Sequence, residues 1–533
     1  MVERLSEKIN ESVKLARDYV LEGGEQILNG RLDEAHKISI STGATALATL
    51  AQFLLGNQYQ DSHQAGLKWL QQNRRGKGWS KVPNGDPDLE ITRLVQKVLL
   101  GSQSRKLVKF LLPSQSRELA NLVLSLGQKV VSGMEGPLPD ETSLPNILTE
   151  KVLNKLPPYG RPVVIAASLL AVKNLDQSGV SEAIVYLCDC RMKDGSWCED
   201  IVATSLATIA LIRAGVSGEQ VDQAGQWLKS KQYSNGAWPA FDQLLTWSTG
   251  LAIQSFIQFP QSSDERDWLN RAAKWLAARQ NTDGSFGSTP PFAQPDLDDT
   301  AIALMGLQHF NSKAAHHCAE LLRRLQNKDG SWSTFPSFKG VPPALECTFP
   351  VYIPSTDVTI HVLDGLWGMP GRNSNIEVAQ GLHWLLEQQL PSGEIPGIWY
   401  EGPIYATAQA LELLNKWSNS WRRWRSAGQI FDVQRKAYQY LLSLQNSDGS
   451  WGSSVTETSL ALSALSYAGS QLPPDIYPKG LSSIISSQLT NGSFQPSYQG
   501  IYAKGWDYEE PLTTALTAIR ALERYRLLLY RHS

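Results

Sequence analysis

The sequence is poor in several features that mark particular classes of protein. Only 5 cysteines occur in 533 residues, too few for the disulfide framework of a small secreted domain. The N-terminus has no apolar signal core and no apolar run is long enough to cross a membrane. We therefore expect a cytoplasmic protein, with contact to a membrane surface left open. The formal net charge is −2 without a basic tract, which argues against a nucleic-acid partner.

Three of the cysteines, Cys188, Cys190 and Cys198, lie close together in the chain. A zinc site would need a fourth ligand at suitable spacing, and no nearby histidine supplies one. Buried thiols at a helix end are the simpler interpretation. We therefore predict no metal site from these residues.

A recurring turn follows one helical pattern and precedes the next along most of the chain. Strand patterns are nearly absent. In the turn, Asn-Gly or Asp-Gly ends a helix in a left-handed conformation and an aromatic residue packs back over it. The glutamine that opens the turn is placed to hydrogen-bond the next helix end. Clear copies span Gln280–Phe286, Gln326–Trp332 and Gln445–Trp451; looser or degenerate ones span Arg191–Trp197, Gln232–Trp238, Gln488–Phe494, Gln72–Trp79 and Gln388–Ile395.

Such a helix–turn–helix repeat predicts an all-α solenoid or closed helical toroid. The chain is long enough for two or three domains. Repeats are strongest from about residue 236 to the end, and they are sparser over residues 30–235, where a proline-rich stretch from Pro137 to Pro162 interrupts them. We therefore predict two helical toroids of unequal regularity.

Three carboxylates stand together where an apolar helix pattern begins. Asp296, Asp298 and Asp299 follow Pro295 and precede Thr300. An aspartate at a helix start can simply cap free backbone N–H groups. Three carboxylates within four residues also repel, and this repulsion raises at least one pKa and holds a proton. The cluster is therefore a candidate general acid as well as a helix cap.

These motifs together resemble those of the class II terpene cyclases, the superfamily of squalene–hopene cyclase and copalyl diphosphate synthase. Residues 296–300, DLDDT, match the family's Asp-X-Asp-Asp-Thr acid motif, and the turns match its Gln-Trp repeats. Residues 354–363, PSTDVTIHVL, resemble the segment that sets an Asp and a His against the acid, and residues 247–252 resemble the head of an inner-barrel helix.

The resemblance implies two α/α barrels. The β domain would comprise residues 1–29 and 236–533, and a γ domain of residues 30–235 would be inserted between them. The implied reaction is protonation of a terminal alkene or epoxide of a polyprenyl chain, followed by ring closure through carbocations.

The resemblance also implies roles for individual residues. Asp298 would donate the proton, with Asp296 and Asp299 forming its hydrogen-bond and charge environment. His361, four residues after Asp357 and so on the same helix face, would hydrogen-bond the acid. Without the resemblance, a satisfied core histidine is the simpler interpretation.

Aromatic faces would stabilise the cations. Candidates lie at repeat starts or loop mouths, and those that begin inner-type helices, Trp247 and Tyr405, are favoured. The full set is Trp247, Phe292, Tyr352, Trp399, Tyr405, Tyr502, Trp506 and Tyr508.

The favoured substrate is a prenyl diphosphate, such as geranylgeranyl or farnesyl diphosphate, converted to a bicyclic diphosphate of copalyl or drimenyl type. The segment from Trp399 to Ala408 resembles that of bacterial diterpene cyclases. Squalene, as in hopene-forming enzymes, and a meroterpenoid precursor are the alternatives within the enzyme class. A non-enzymatic helical-toroid scaffold is the alternative outside it.

No cofactor is required for proton-initiated cyclisation. A magnesium-dependent site that ionises a diphosphate requires the motif Asp-Asp-X-X-Asp. After Asp298 and Asp299, the last position of that motif holds Ile302. Magnesium as an escort of the diphosphate is an option, and the acidic turn Asp86–Glu90 is a candidate for it. Arg74 and Lys504 are basic residues near presumed cavity mouths. The oligomeric state does not follow from the sequence.

Overall fold

The computed structural model describes most of the chain. The described residues are 2–102, 117–121, 144, 148–149, 153, 160–241, 243–288, 295–335, 354–369, 376–400, 402–416, 427–467, 472–497, 500–501 and 507–532.

Nineteen helices of at least ten residues lie within the described parts of the chain, and the strand content there is one two-stranded antiparallel ribbon. The predicted all-α fold is confirmed. In chain order the helices are α1 Val2–Leu28, α2 Thr42–Leu55, α3 Gln60–Gln72, α4 Leu89–Ser102, α5 Gly160–Ala171, α6 Val180–Asp189, α7 Ile201–Arg213, α8 Glu219–Ser230, α9 Leu245–Phe256, α10 Ser263–Ala277, α11 Leu297–Leu307, α12 Ser312–Arg324, α13 Thr356–Gly368, α14 Ile376–Glu387, α15 Ile404–Lys416, α16 Ala427–Ser443, α17 Val455–Leu465, α18 Ile476–Ser486 and α19 Pro511–His532; a 3₁₀ turn spans Asn57–Tyr59, and the strands are β1 Gly500–Ile501 and β2 Asp507–Tyr508.

Six helices close into an inner ring in the C-terminal half. Helix α9 packs against α11, α11 against α13, α13 against α15, α15 against α17, α17 against α19, and α19 against α9. Each has an outer partner, in the order α10, α12, α14, α16, α18 and α1. The sixth outer helix is therefore α1, from the opposite end of the chain. This is the helical toroid that the repeats predict.

Composition separates inner from outer helices. Every residue of α17, from Val455 to Leu465, is buried, and all of them except Glu457 are small or aliphatic. Outer helix α12 instead buries one face, which includes Ala315, Cys318 and Leu322, and ends in Arg323 and Arg324. A helix that is apolar all round belongs in an interior, whereas an amphipathic one covers it.

The repeat turns hold neighbouring helix pairs together. In the Gln326–Trp332 copy, the Gln326 amide donates to Gly330 O in its own turn and to Glu377 O at the start of α14, both at 2.7 Å. The Trp332 indole N–H donates to Leu322 O at 2.7 Å. Gly330 has a φ of 95°, and a Cβ there would lie 2.6 Å from Gln380 O. The turn therefore requires glycine and sets the spacing of the outer helices.

One turn has a different register from the predicted one. Gln389, not Gln388, donates to Gly393 O and to Val433 O of α16. Ile395, where the other copies carry an aromatic residue, donates its backbone N–H to the Thr407 hydroxyl at 2.9 Å. A repeat that lacks its aromatic thus keeps its hydrogen bonds, and the six-residue spacing from Gln389 to Ile395 identifies the right glutamine.

The N-terminal half forms a second apolar cluster. Helix α7 packs against α5 and α2, and α2 packs against α4, while α3, α6 and α8 cover them. Its buried residues run from Ile38 to Phe241, joined by Phe335. The larger cluster runs from Ile9 to Ile27 and from Trp247 onward.

The predicted domain boundaries remain predictions. Trp238 and Phe241 lie in the smaller cluster, beyond the predicted change at residue 236, because Trp238 donates its indole N–H to Leu228 O of α8. A boundary between Phe241 and Leu245 describes this packing better.

No helix among the described residues is long and apolar enough to cross a membrane.

Candidate active site

The candidate acid motif opens the inner helix α11. The Asp296 carboxylate accepts the backbone N–H groups of Asp298 at 2.8 Å and of Asp299 at 3.2 Å. Asp296 is thus the N-cap of α11, and its cap fixes the directions in which the next two carboxylates leave the helix. The sequence allowed any of the three aspartates to cap the helix, and in the structure Asp296 does so.

Asp298 is paired with a histidine from the neighbouring inner helix. His361 Nδ1 lies 2.6 Å from Asp298 Oδ1, and the two side chains are 6% and 15% exposed. Burial alone would lower the pKa of His361, but Asp298, followed by Asp357 and Asp364, raises it. The raised pKa favours the charged form of His361, and a positive ring at this distance stabilises the carboxylate that remains when Asp298 gives up a proton.

The neutral form is favoured at the two flanking carboxylates. Burial and then the adjacent Asp298 raise the pKa of Asp296 to about 8, against the opposing effect of the backbone N–H groups. Burial, Asp296 and Asp298 together raise the pKa of Asp299 well above its ordinary value. Asp299 Oδ1 is buried and has no hydrogen-bond partner among the described residues. The cluster thus stores protons beside Asp298, as the crowding of charges predicts.

Asp357 is near the acid but acts on a loop. Its Oδ2 accepts the backbone N–H groups of Ile398 at 2.7 Å and of Trp399 at 3.1 Å. It makes no hydrogen bond to His361. Asp357 therefore holds the segment that leads into α15, while His361, on the same helix, reaches the acid.

Aromatic rings surround His361. Trp247 meets the imidazole edge to face with ring centroids 5.4 Å apart, and the Tyr405 hydroxyl lies 3.4 Å from His361 Nε2. Tyr400 stacks on Tyr405 with centroids 3.5 Å apart and planes 6° from parallel. Both favoured aromatic residues thus lie at the acid, at the starts of α9 and α15.

Two further predicted aromatics lie around this group. The Trp399 indole N–H donates to the Thr334 hydroxyl at 2.8 Å. Tyr508 packs edge-on against Phe241 of the smaller cluster at 5.0 Å. Burial, Glu510 and then the three carboxylates of the acid motif raise the pKa of Tyr508, which indicates that its hydroxyl lies within electrostatic reach of the acid.

Comparisons with known proteins agree with this geometry. The family described as the squalene-hopene cyclase C-terminal domain matches residues 291–469, the segment that holds the acid motif, His361 and Tyr405. A drimenyl diphosphate synthase from Streptantibioticus cattleyicolor is 27% identical over 233 residues, which are 41% of this chain and 40% of that protein. Over this region the chain is thus similar in sequence to members of the class II terpene cyclase superfamily.

Other members of the superfamily are similarly distant. A squalene–hopene cyclase from Bradyrhizobium diazoefficiens is 28% identical over 232 residues, 37% of this chain and 33% of that protein. A copalyl diphosphate synthase from Streptomyces anulatus is 27% identical over 211 residues, again 37% of this chain and 33% of that protein. The matched region therefore spans well under half of the length of these relatives.

The fold likeness extends much further along the chain. An ent-copalyl diphosphate synthase from Streptomyces platensis superposes with a TM-score of 0.59 and 17% identity, and covers 97% of this chain and 99% of that one. At 17% identity this match shows a similar fold and nothing more. That fold is the helical toroid of class II cyclases.

Four of the predicted site residues lie outside the described part of the chain: Phe292, Tyr352, Tyr502 and Trp506. The basic residue Lys504 lies outside them too.

Tyr400 was not among the site residues predicted from the sequence. Its neighbour Trp399 begins a segment that resembles one in bacterial diterpene cyclases, but no local sequence pattern predicts that Tyr400 stacks on Tyr405. Glu510 was also missed; it caps α19 by accepting the Thr513 backbone N–H and accepts the Ser248 hydroxyl at 3.0 Å. A buried glutamate just before a helix-starting proline is the signal for such a cap.

The acidic turn at residues 86–90 has a structural role at the start of α4. Asp88 Oδ1 accepts the backbone N–H groups of Glu90 and Ile91, both at 2.9 Å, and so starts α4. Among the described residues no group of three or more His, Cys, Asp or Glu side chains could hold a metal ion. Among the described residues, Cys188, Cys190 and Cys198 take part in no disulfide bond.

Proposed function

We propose that this chain is a class II cyclase that protonates the terminal alkene of a linear prenyl diphosphate and closes it to a bicyclic diphosphate of drimenyl or copalyl type. The observation that carries the proposal is the buried pair of Asp298 and His361 at 2.6 Å, enclosed by aromatic rings. Because the matched part spans well under half of the curated relatives, activity and substrate are proposals.

Asp298 is the proposed proton donor. An alkene is a very weak base, so the acid must be strong and shielded from water. His361 supports the first demand, since a positive ring stabilises the carboxylate that forms as the proton leaves. Burial of the pair, with side chains 6% and 15% exposed, supports the second. Asp296 and Asp299, kept neutral by burial, surround Asp298 without adding the negative charge that would weaken it as an acid.

The aromatic rings are proposed to stabilise the carbocations. The π face of a Trp or Tyr attracts a cation by about 0.5–2 kcal/mol per contact. Trp247, Tyr400 and Tyr405 lie around the acid, where positive charge first appears. Asp357 supports this arrangement by holding the backbone before α15 and hence Tyr400 and Trp399.

We expect the diphosphate to be retained, because the chain lacks the motif that would ionise it. The chain has Ile302 where a magnesium-binding Asp-Asp-X-X-Asp motif would place its last carboxylate. Magnesium is therefore proposed only as a counterion that arrives with the diphosphate, and inorganic diphosphate is expected to compete with the substrate.

A triterpene cyclase that takes squalene is the second candidate. It is favoured by the description of the matching family, squalene-hopene cyclase C-terminal domain. Its substrate is uncharged, so it differs from the first candidate in needing no anion-binding groups and in drawing its substrate from a lipid phase.

One experiment separates the two candidates. Purified protein is incubated without detergent with farnesyl diphosphate, geranylgeranyl diphosphate or squalene, and products are identified by mass spectrometry after phosphatase treatment. We expect a bicyclic alcohol from one of the diphosphates, inhibition by inorganic diphosphate, and no product from Asp298→Asn. Turnover of squalene with neither diphosphate accepted would refute the diphosphate proposal and support the triterpene one.

A further inference from the structure

A pocket of about 440 Å³ lies where the two apolar clusters meet. Its walls come from the end of α1 and the chain that follows it, from the end of α8, and from the chain between α8 and α9. Ligand pockets are about 300–1,000 Å³, so this space is large enough for a small molecule. We call it the junction pocket, and its lining includes Arg31, Leu32, Lys37, Lys231, Gln243 and Leu245.

The charged groups that line the junction pocket are all positive. Arg31, Lys37 and Lys231 belong to the lining, and no carboxylate does among the described residues. Arg31 is exposed and the two lysines are partly exposed, so the pocket opens to solvent. Lys37 Nζ lies over the Tyr233 ring, 5.6 Å from its centroid. A cleft lined by charge of one sign concentrates ions of the opposite sign.

The acidic residues nearest in the chain are engaged elsewhere. Asp33 and Glu34 lie between Arg31 and Lys37 in the sequence, but neither lines the pocket. Asp33 pairs with His36 at 2.7 Å. Glu34 accepts the Ser234 hydroxyl at 2.7 Å. Within the described part of the chain, Arg31 and Lys37 form no salt bridge with these or other carboxylates.

Two neutral donors add to the positive lining. Gln243 is only 9% exposed, and its Oε1 accepts the Ile38 backbone N–H at 3.1 Å, but its amide nitrogen donates to none of the described residues. Helix α9 begins at Leu245 after Leu244, an N-cap residue that makes no side-chain hydrogen bond to it. A buried donor without an acceptor is costly, and an uncapped helix start attracts negative charge. Both features favour a bound anion.

The junction pocket is separate from the surroundings of the acid. Leu245 lines the pocket and Trp247 contacts His361, and residues two apart on a helix do not face the same side. The Ile38 backbone N–H bonds pocket-lining Gln243, and the next residue, Ser39, donates its backbone N–H to Glu509 O at 3.0 Å. Glu509 follows Tyr508, so this segment lies between the pocket and β2.

We propose that the junction pocket binds a small molecule through a phosphate or diphosphate group, at a site separate from the substrate cavity of Asp298. Such groups bind best to Arg and Lys side chains and to helix starts. The donors come from chain segments that join the two clusters, so the bound anion stabilises the contact between them. Apolar walls at Ile27, Leu32 and Ile201 leave room for an apolar part of the ligand. The inference goes beyond the cyclase reaction, because none of these residues takes part in it.

The test compares three forms of the full chain. Arg31→Gln/Lys37→Gln removes two positive charges from the pocket. Lys274→Gln/Lys313→Gln is the matched control, because these exposed lysines on α10 and α12 carry the same charge and lie outside the pocket lining. Isothermal titration calorimetry measures the binding of inorganic diphosphate at constant ionic strength, since salt screens surface charge.

We expect binding to the junction pocket to weaken by about tenfold or more in Arg31→Gln/Lys37→Gln and to match wild type in the control. Diphosphate bound in the substrate cavity contributes equally to all three proteins, so the difference between them reports the junction pocket alone. Thermal unfolding without diphosphate should be alike in all three, and diphosphate should raise the melting temperature less in the pocket variant.

Farnesyl monophosphate as a second probe identifies the source of the phosphate group. If the wild type loses more affinity for it than for inorganic diphosphate on the double substitution, the apolar walls hold a prenyl chain. If the two losses are equal, the ligand is a free phosphate or diphosphate. Either result supports the anion site.

Equal binding of inorganic diphosphate by the three proteins would overturn the inference. So would a KM for the accepted prenyl diphosphate raised about tenfold or more in Arg31→Gln/Lys37→Gln with kcat unchanged, because the pocket would then hold the diphosphate of the substrate itself. Failure of the proposed function looks different: wild type would make no bicyclic product, while the difference in diphosphate binding would persist.

Discussion

At the scale of single residues, three neighbouring aspartates have different roles because their side chains leave the start of α11 in different directions. Asp296 turns back to cap α11, Asp298 reaches His361 on α13, and Asp299 is buried with its Oδ1 unpartnered among the described residues. The same residue type thus supplies a cap, a neutral neighbour and a candidate proton donor within four positions.

Replacing Asp298 tests the proposed donor directly. Asp298→Asn keeps the shape of the side chain and its contact with His361 but removes the acidic proton. We expect loss of cyclisation with a melting temperature near that of wild type, measured by product formation and thermal unfolding. A rate within about tenfold of wild type, little more than 1.4 kcal/mol of barrier, would rule out Asp298 as the donor.

The raised pKa of Asp296 makes stability depend on pH in a definite direction. Its pKa is about 8 in the folded chain against an ordinary value of 3.8, so the folded state binds the proton more tightly. The resulting stability is fully present below about pH 3.8 and is lost as the pH rises through about 8.

Asp296→Asn should therefore flatten part of the decline in melting temperature between about pH 4 and pH 8, while asparagine preserves the cap. Only part of the decline should vanish, because Asp299 also has a raised pKa. Curves for wild type and variant that fall in parallel would contradict this expectation.

At the scale of the elements, the repeat turn joins one helix pair to the next. In the turn of Trp332, the indole is fully buried, its N–H reaches Leu322 O on α12, and its backbone N–H donates to Thr359 of α13 at 3.0 Å. One residue thus connects an outer helix with the following inner helix.

Removing this indole should cost stability without changing the product. We expect Trp332→Ala to lower the free energy of unfolding by about 3–5 kcal/mol, the range for emptying a large buried aromatic site. Trp275→Ala is the control, since Trp275 is only partly buried and lies under Arg279 on an outer helix; its loss should be smaller. A variant at Trp332 that melts like wild type but yields a new product would show that this residue lines the substrate cavity.

At the scale of the whole molecule, the larger ring is completed by the first helix of the chain. The Gln488 amide of the last repeat turn donates to Ser12 O of α1 at 3.0 Å. Arg17 of α1 pairs with Glu265 of α10 at 2.6 Å and with Glu523 of α19 at 2.9 Å. These side chains are nearly buried, so the charges stabilise one another in a site with little water.

Arg17→Met should therefore destabilise the ring strongly. It leaves the Glu265 carboxylate without its arginine and leaves Glu523 only its ion pair with the partly exposed Arg526. Breaking a buried pair in this way costs about 3–5 kcal/mol. Arg271→Met is the matched control, because Arg271 pairs with Glu25 and Asp267 at the exposed surface, where such pairs are worth about 0–1 kcal/mol. Chemical denaturation measures both, and equal losses would contradict the role assigned to Arg17.

The sequence alone determined the features that short-range contacts build. The repeat turns, the cap at Asp296 and the apolar inner helices each depend on residues a few positions apart, whose backbone hydrogen bonds and burial follow from residue type. The pairing of Asp298 with His361 was also predictable, but only through resemblance to a family, because 63 residues separate the two partners.

Only the tertiary structure decided which distant side chains meet. It assigned Asp357 to the backbone of residues 398 and 399, stacked Tyr400 on Tyr405, and chose Gln389 over Gln388 in a turn without its aromatic residue. Each of these contacts depends on how six helix pairs close on themselves. Closure is a property of the whole ring, since a small rotation in any pair changes which groups face each other across it.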